Sequence, residues 1–210
     1  MTRVTQGDAA VVYRSKLRSM REAVDLIHAE DTLAAPIAAG QPAAFLTALA
    51  ERSDYRNLTI YTGLLIAPYS VLQRPGVRLI SGFYGPIERM MKSTGARVEY
   101  LPADFIGWER HAMLTRPRVV VAALSPMDDH GFLSFGLHAG ATFNAFHQAA
   151  LDPDRLTIGE VTRDMPYVLG LGRHGGNRVH VSEVDCLVET DRPLFVLPEI
   201  PVAAEDAAIA

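Results

Sequence analysis

Apolar and polar positions change period at short intervals along this chain. Met20, Ala23, Val24 and Ile27 recur at three- and four-residue spacing, which puts them on one face of a helix, and Ser19 with Glu22 forms a capping box at its start. A second helix is predicted to open at Pro42, where the missing N–H costs nothing, with Phe45, Leu46, Leu49 and Ala50 on its buried side. A third opens at Pro86 with Ile87, Met90 and Met91 inward and Gly95 as its C-terminal cap. Two more are expected over 104–115 and over 141–150, where Ala145, Phe146, Ala149 and Ala150 line up.

Between the helices lie short runs rich in β-branched residues: LTIYTGLL at 58–65, VRLISG at 77–82, RVEYLP at 97–102 and RVVVAAL at 118–124, with LTIGEV and VDCLVE later in the chain. They show little strict alternation, as expected of parallel strands covered on both faces. Strand and helix signals in turn predict an α/β fold, an open and mostly parallel sheet with helices on both faces.

The 210 residues fit one large α/β domain better than two separate cores. Twenty basic and 24 acidic residues, mixed along the chain for a net charge of −4, leave no basic stripe to track a phosphate backbone, so nucleic acid is not an expected partner. The first residues hold no apolar core of signal-peptide length and no run approaches a membrane span, so no membrane partner is expected. Cys186 is the only cysteine, which rules out an internal disulfide and, with the missing signal, predicts a cytoplasmic protein. The tail DRPLFVLPEIPVAAEDAAIA is kept extended by Pro193, Pro198 and Pro201, and AEDAAIA then reads as the first turn of a helix that continues elsewhere. These signals divide the chain into an N-terminal extension at 1–20, a domain at 21–195, and a linker or start of a second domain at 196–210.

One stretch looks most like a site: SPMDDHGFLSFG, residues 125–136, in the loop after a strand, where open α/β sheets place their ligands. Asp128, Asp129 and His130 are crowded enough for acid–base work or part of a metal site. Equally, one aspartate accepts backbone N–H bonds in a turn while Gly131 supplies a positive φ. In IAAGQPAAFL, Gly40 and Gln41 precede a helix start, where free N–H groups hold an anion or a developing oxyanion; the alternative is an ordinary strand-to-helix turn. GLGRHGG matches a glycine-rich dinucleotide fingerprint through Gly170, Gly172 and Gly175, but the adjoining NRVHVSEVDCLVE alternates like a strand and opens no helix, so it reads as a loop. The seven histidines have no zinc-site spacing, and no serine sits in a nucleophile elbow, so neither a metal nor a catalytic nucleophile is assigned.

The joined segments VVVAALSPMDDHGFLSFG and GGNRVHVSEVDCLVETDRPL carry a family resemblance. Through Ser125, Pro126, Asp128, His130, Gly131, Ser134 and Gly136, and through His180, Val181, Ser182, Asp185 and Pro193, the chain resembles the N-terminal half of the acetyl-CoA hydrolase/transferase family, which includes acetate and 4-hydroxybutyrate CoA-transferases. Weaker echoes in GFYGPIERMMKSTGARVEYLPADF and AAGQP extend the match over most of the chain beyond about residue 20. The resemblance implies a CoA-transferase-like domain, one of two α/β domains with the active site between them. It also implies a glutamate that attacks the acyl-CoA thioester to give a glutamyl-CoA thioester, with coenzyme A as substrate and no other cofactor. That glutamate lies in the family's second half, after a glycine-rich turn. Of the eleven glutamates here, Glu160 and Glu183 are the stand-ins to consider, and neither comes after such a turn. Relatives carry an asparagine near Thr162 and Arg163, and small residues at Gln41, so acyl specificity stays open.

The expected function is that of the N-terminal domain or subunit of a CoA-transferase or acyl-CoA hydrolase, acting on acyl-CoA and small carboxylates with a glutamate-bearing domain or partner subunit, in a homo- or hetero-oligomer. Gly40 and Gln41 are expected beside the thioester as backbone donors, and Asp128, His130 and Gly131 to shape the loop beside it. A non-catalytic partner module of the same fold is the alternative, and a metal-dependent hydrolase built on Asp128, Asp129 and His130 a third reading.

Overall fold

A computed structural model describes residues 6–138, 142–171 and 176–196. Its strands are β1 (Glu30–Ala34), β2 (Asn57–Thr62), β3 (Val77–Ser81), β4 (Val98–Tyr100), β5 (Val119–Leu124), β6 (Phe132–Ser134), β7 (Leu156–Thr162), β8 (Arg178–His180) and β9 (Cys186–Thr190). Seven form a sheet in the order β4-β3-β2-β1-β5-β7-β9, with every neighbouring pair parallel. β6 and β8 pair separately and antiparallel, Leu133 opposite Val179. Strands and helices fall where the apolar runs place them, and the α/β expectation holds.

The helices are α1 (Gln6–Lys16), α2 (Met20–Asp25), α3 (Ala43–Ala48), α4 (Pro86–Ser93), α5 (Phe105–Leu114) and α6 (Phe143–Ala150). The β5 run VVVAAL explains why they cover both faces, since all six of its residues are buried. Val119 and Val121 pack into a cluster with Ala23, Phe45, Leu46 and Met91 of α2, α3 and α4, whereas Val120, Ala122 and Leu124 pack into another with Ala9 of α1 and Phe146 of α6. Each such valine or leucine is worth about 1.5–3 kcal/mol in burial, so a strand with no polar position is stable only between two helical layers.

Helix starts have the expected chemistry. The Ser19 side chain accepts from the Glu22 amide and Glu22 reaches back to the Ser19 amide, closing the capping box. Pro42 stands one position before α3, Pro86 opens α4, and Gly95 comes just after the α4 cap with φ 100°. Met90 does not turn inward as expected: it is 43 % exposed, and Met91 alone of the pair is buried.

Besides the three-residue β6, α1 and β1 had no sequence signal. The segment assigned to an extension contains α1, whose Ala9 is buried and whose Lys16 donates to the carbonyls of Val181 and Ser182. β1 has the sequence EDTLA, and its Asp31 side chain, 1 % exposed, accepts from the Arg118 guanidinium and from the His28 and Thr32 amides. Gly172, His174, Gly175 and the AEDAAIA tail lie outside the described residues. Among those described, no helix is long and apolar enough to cross a membrane.

Candidate functional site

Strand order reverses direction between β1 and β5, and at such a reversal open α/β sheets bind ligands outside the carboxyl ends of the strands. The loops leaving these two strands, 35–41 and 125–131, are the two that the sequence singled out. The first is strained. Ala38 holds φ 49°, a left-handed conformation that costs a residue with a β-carbon about 1 kcal/mol or more, and its amide is tied to the Gly63 carbonyl at 3.4 Å. Gly40 permits close approach to residue 138, because a β-carbon there would lie 2.6 Å from the His138 carbonyl oxygen and 2.8 Å from Pro36.

Gly40 and Gln41 do not offer the free donors expected of them. Their amides close a tight turn onto the carbonyls of Ile37 and Ala38, at 3.2 and 3.1 Å. The Gln41 side chain is buried, donates to Thr62 Oγ1 and the Gly63 carbonyl, and accepts from Tyr69 Oη and the Ile66 amide. At the start of α3, the amides of Ala44 and Phe45 are both taken by Glu160, at 3.1 and 2.7 Å. Burial pushes the Glu160 carboxyl up to about 7, against the opposing pull of the two amides and the Arg192 charge. As a stand-in nucleophile Glu160 fails on geometry: 3 % exposed and held by amides, it stands as a clamp between β7 and α3.

The 125–136 stretch is a folded-back loop whose polar residues serve its backbone. Asp128 Oδ1 accepts from the amides of His130 and Phe132 at 2.8 and 2.9 Å, and Oδ2 accepts from Tyr167 Oη. Partial burial pulls its pKa up, but these bonds together outweigh burial and hold the carboxyl below its ordinary value. Gly131 has φ 84° and packs against the His180 ring and Ala9, so the tip of this loop rests on α1 and β8 rather than on Gly40. His130 and Asp129 are exposed, and among the described residues no three His, Cys, Asp or Glu side chains gather as a metal site.

Ser134 completes the loop. Its hydroxyl donates to the Val168 carbonyl and accepts from the Val168 and Gly136 amides, while a β-carbon on Gly136 would meet Met165 Sδ at 2.1 Å. The motif therefore grips segment 165–168 after β7.

Two concavities lie beside this frame. A cavity of about 20 Å³, room for about one water, sits among Gln41, Glu160, Thr162 and Arg192. A larger one, about 360 Å³, lies past the ends of β7 and β9 and is lined by Tyr13, Met127, Arg163, Glu189 and Asp191, residues that no sequence motif connects.

The chain as a whole is similar to known proteins. Over 191 residues the chain is 31 % identical to a butyryl-CoA:acetate CoA-transferase of Anaerostipes caccae, and over 206 residues 27 % identical to a succinyl-CoA:cyclohexane-1-carboxylate CoA transferase of Geobacter metallireducens. The chain is a relative of the CoA-transferases. These alignments take in 86 % and 94 % of the chain but only 40 % and 44 % of the two transferases, so it spans less than half the length of the curated relatives it matches. The crystal structure of RipA from Yersinia pestis superposes on 96 % of the chain with a TM-score of 0.82 and 30 % identity, again over 48 % of that protein. No family model matches. The CoA-transferase likeness thus rests on alignments that take in most of this chain, and the fold match to RipA runs over nearly its whole length.

Proposed function

We propose that this chain forms one wall of a CoA-transferase active site, moving CoA between carboxylic acids through a glutamyl-CoA thioester whose glutamate lies outside these 210 residues. The observation that supports the reading is the likeness to a butyryl-CoA:acetate CoA-transferase over 86 % of the chain, in a fold whose β1/β5 reversal carries the strained Ala38 turn and the 125–136 loop, both held to fixed shape by spent hydrogen bonds. A wall of this kind positions an acyl-CoA thioester and excludes water without performing the attack itself. The two stand-in glutamates are otherwise employed: Glu160 clamps α3, and Glu183 pairs with His147 at 3.2 Å. In this reading Gly40 and Gln41 position the turn beside the thioester, and Asp128, His130 and Gly131 shape the loop that leaves β5.

The test is co-expression with the second half of a CoA-transferase relative as a separate polypeptide. CoA transfer from butyryl-CoA to acetate should appear only in the mixture. Borohydride should trap the thioester, and mass spectrometry should place the adduct on a glutamate of the added half. An adduct on a glutamate of this chain would sink the proposal, and persistent inactivity of a stably assembled pair would favour a non-catalytic partner module instead.

A further inference from the structure

The 360 Å³ cavity at the ends of β7 and β9 borders the loop that leaves β5, through Pro126 and Met127. Val161 stands opposite Glu189 and Thr162 opposite Thr190 in the β7–β9 register, so Arg163 and Asp191 leave the two strands side by side. Alternation along the strands puts Val161 and Glu189 toward the α1 side, where Tyr13 Oη donates to Glu189 at 2.7 Å, and Arg163 and Asp191 line the same cavity from the segments that follow. Arg163 and Asp191 both line the cavity, are both exposed, and neither side chain has a hydrogen bond or ion pair among the described residues. Opposite charges thus stand open around a concavity of ligand size.

We propose that this cavity binds a small zwitterion of the α-amino-acid class, with its carboxylate on Arg163, its ammonium held by Glu189 and Asp191, and its side chain against Pro126, Met127 and Val161. The charge pattern selects the class. A guanidinium fork matches a carboxylate in two parallel hydrogen bonds. A simple carboxylate would gain that contact but meet repulsion from both acids, and a simple amine would gain the acids but meet repulsion from Arg163. Only a molecule carrying both charges satisfies all three groups. Because Tyr13 belongs to α1, occupation also ties that helix to the sheet edge.

Isothermal titration of the full chain with L-alanine, L-valine and L-methionine, against propionate, isovalerate and isobutylamine, tests this. The amino acids should bind saturably, the matched acids and amine at least tenfold more weakly, and Arg163→Met and Asp191→Asn should each weaken amino-acid binding by about tenfold or more, the loss of one good charge-assisted contact. Both side chains are exposed, so unchanged melting temperatures will show that the variants fold. Bound amino acid should also slow amide exchange in α1. Acids that bind as tightly as amino acids, amino-acid binding indifferent to Arg163→Met, or no saturable binding by any of the six compounds would each overturn the proposal. Because the test reads binding to this chain alone, its failure leaves the co-expression test of CoA transfer untouched.

Discussion

Replacing Glu160 with Gln measures what a buried carboxylate costs this fold. In the folded chain burial moves its pKa from 4.5 to about 7, although the Ala44 and Phe45 amides and the Arg192 charge favour the ionised form. A carboxyl whose pKa is raised by folding binds its proton more tightly in the native state. Its contribution to stability is therefore whole below pH 4.5 and is lost as pH rises through about 7. At 1.36 kcal/mol per unit, the full loss is about 3 kcal/mol, most of it between about pH 5 and pH 8. The amide of the Glu160→Gln variant does not titrate, and it matches the neutral acid in offering one carbonyl acceptor to two backbone amides. Urea unfolding of both proteins across that range at constant ionic strength isolates the effect, because every other titrating group cancels in the difference. The difference should move in the variant's favour by about 3 kcal/mol toward pH 8. Parallel curves would refute the reasoning, and movement the other way would show that the amides and Arg192 hold the group ionised despite its burial.

Three further substitutions probe the frame. Arg118→Met leaves the Asp31 carboxylate buried without its cation and should cost about 3–5 kcal/mol in chemical denaturation, much of it recovered when Asp31→Leu is added. Gly131→Ala must place a β-carbon at φ 84° and 2.7 Å from His180 Nε2, whereas Gly95→Ala faces open space at φ 100°; melting curves should show the first to be the more damaging, and equal losses would mean the His180 contact yields freely. Asp128→Ala removes the acceptor for the His130 and Phe132 amides and Tyr167 Oη, so about 1–3 kcal/mol should be lost, with faster amide exchange at 130–132 and lower CoA transfer in the assembled pair.

The strands legible in the sequence are those whose chemistry is self-contained. β5 and the runs around it are apolar because helices cover both faces, and that needs no knowledge of partners. β1 was hidden because Asp31 makes it look polar, and the cation that permits the strand lies 87 residues away in Arg118. β6, three residues long, is too short to show a period and exists through its pairing with β8, which lies in the stretch that alternates like a strand.

The same division runs through the site. The cluster at 125–136 was visible as a cluster, but what it does depends on Tyr167, 39 residues beyond Asp128, and on segment 165–168. Its Asp128 carboxylate, its serine hydroxyls and its glycines are consumed by the backbone they shape. Arg163 and Asp191 drew no notice as a pair because only sheet order, which sets β7 beside β9, brings them together. Side chains crowded in sequence are often crowded because a turn needs them, and their hydrogen bonds are then already spent. Charges that the fold assembles from distant strands and leaves unpaired have no structural work to explain them, and in this chain they are the better pointer to a ligand.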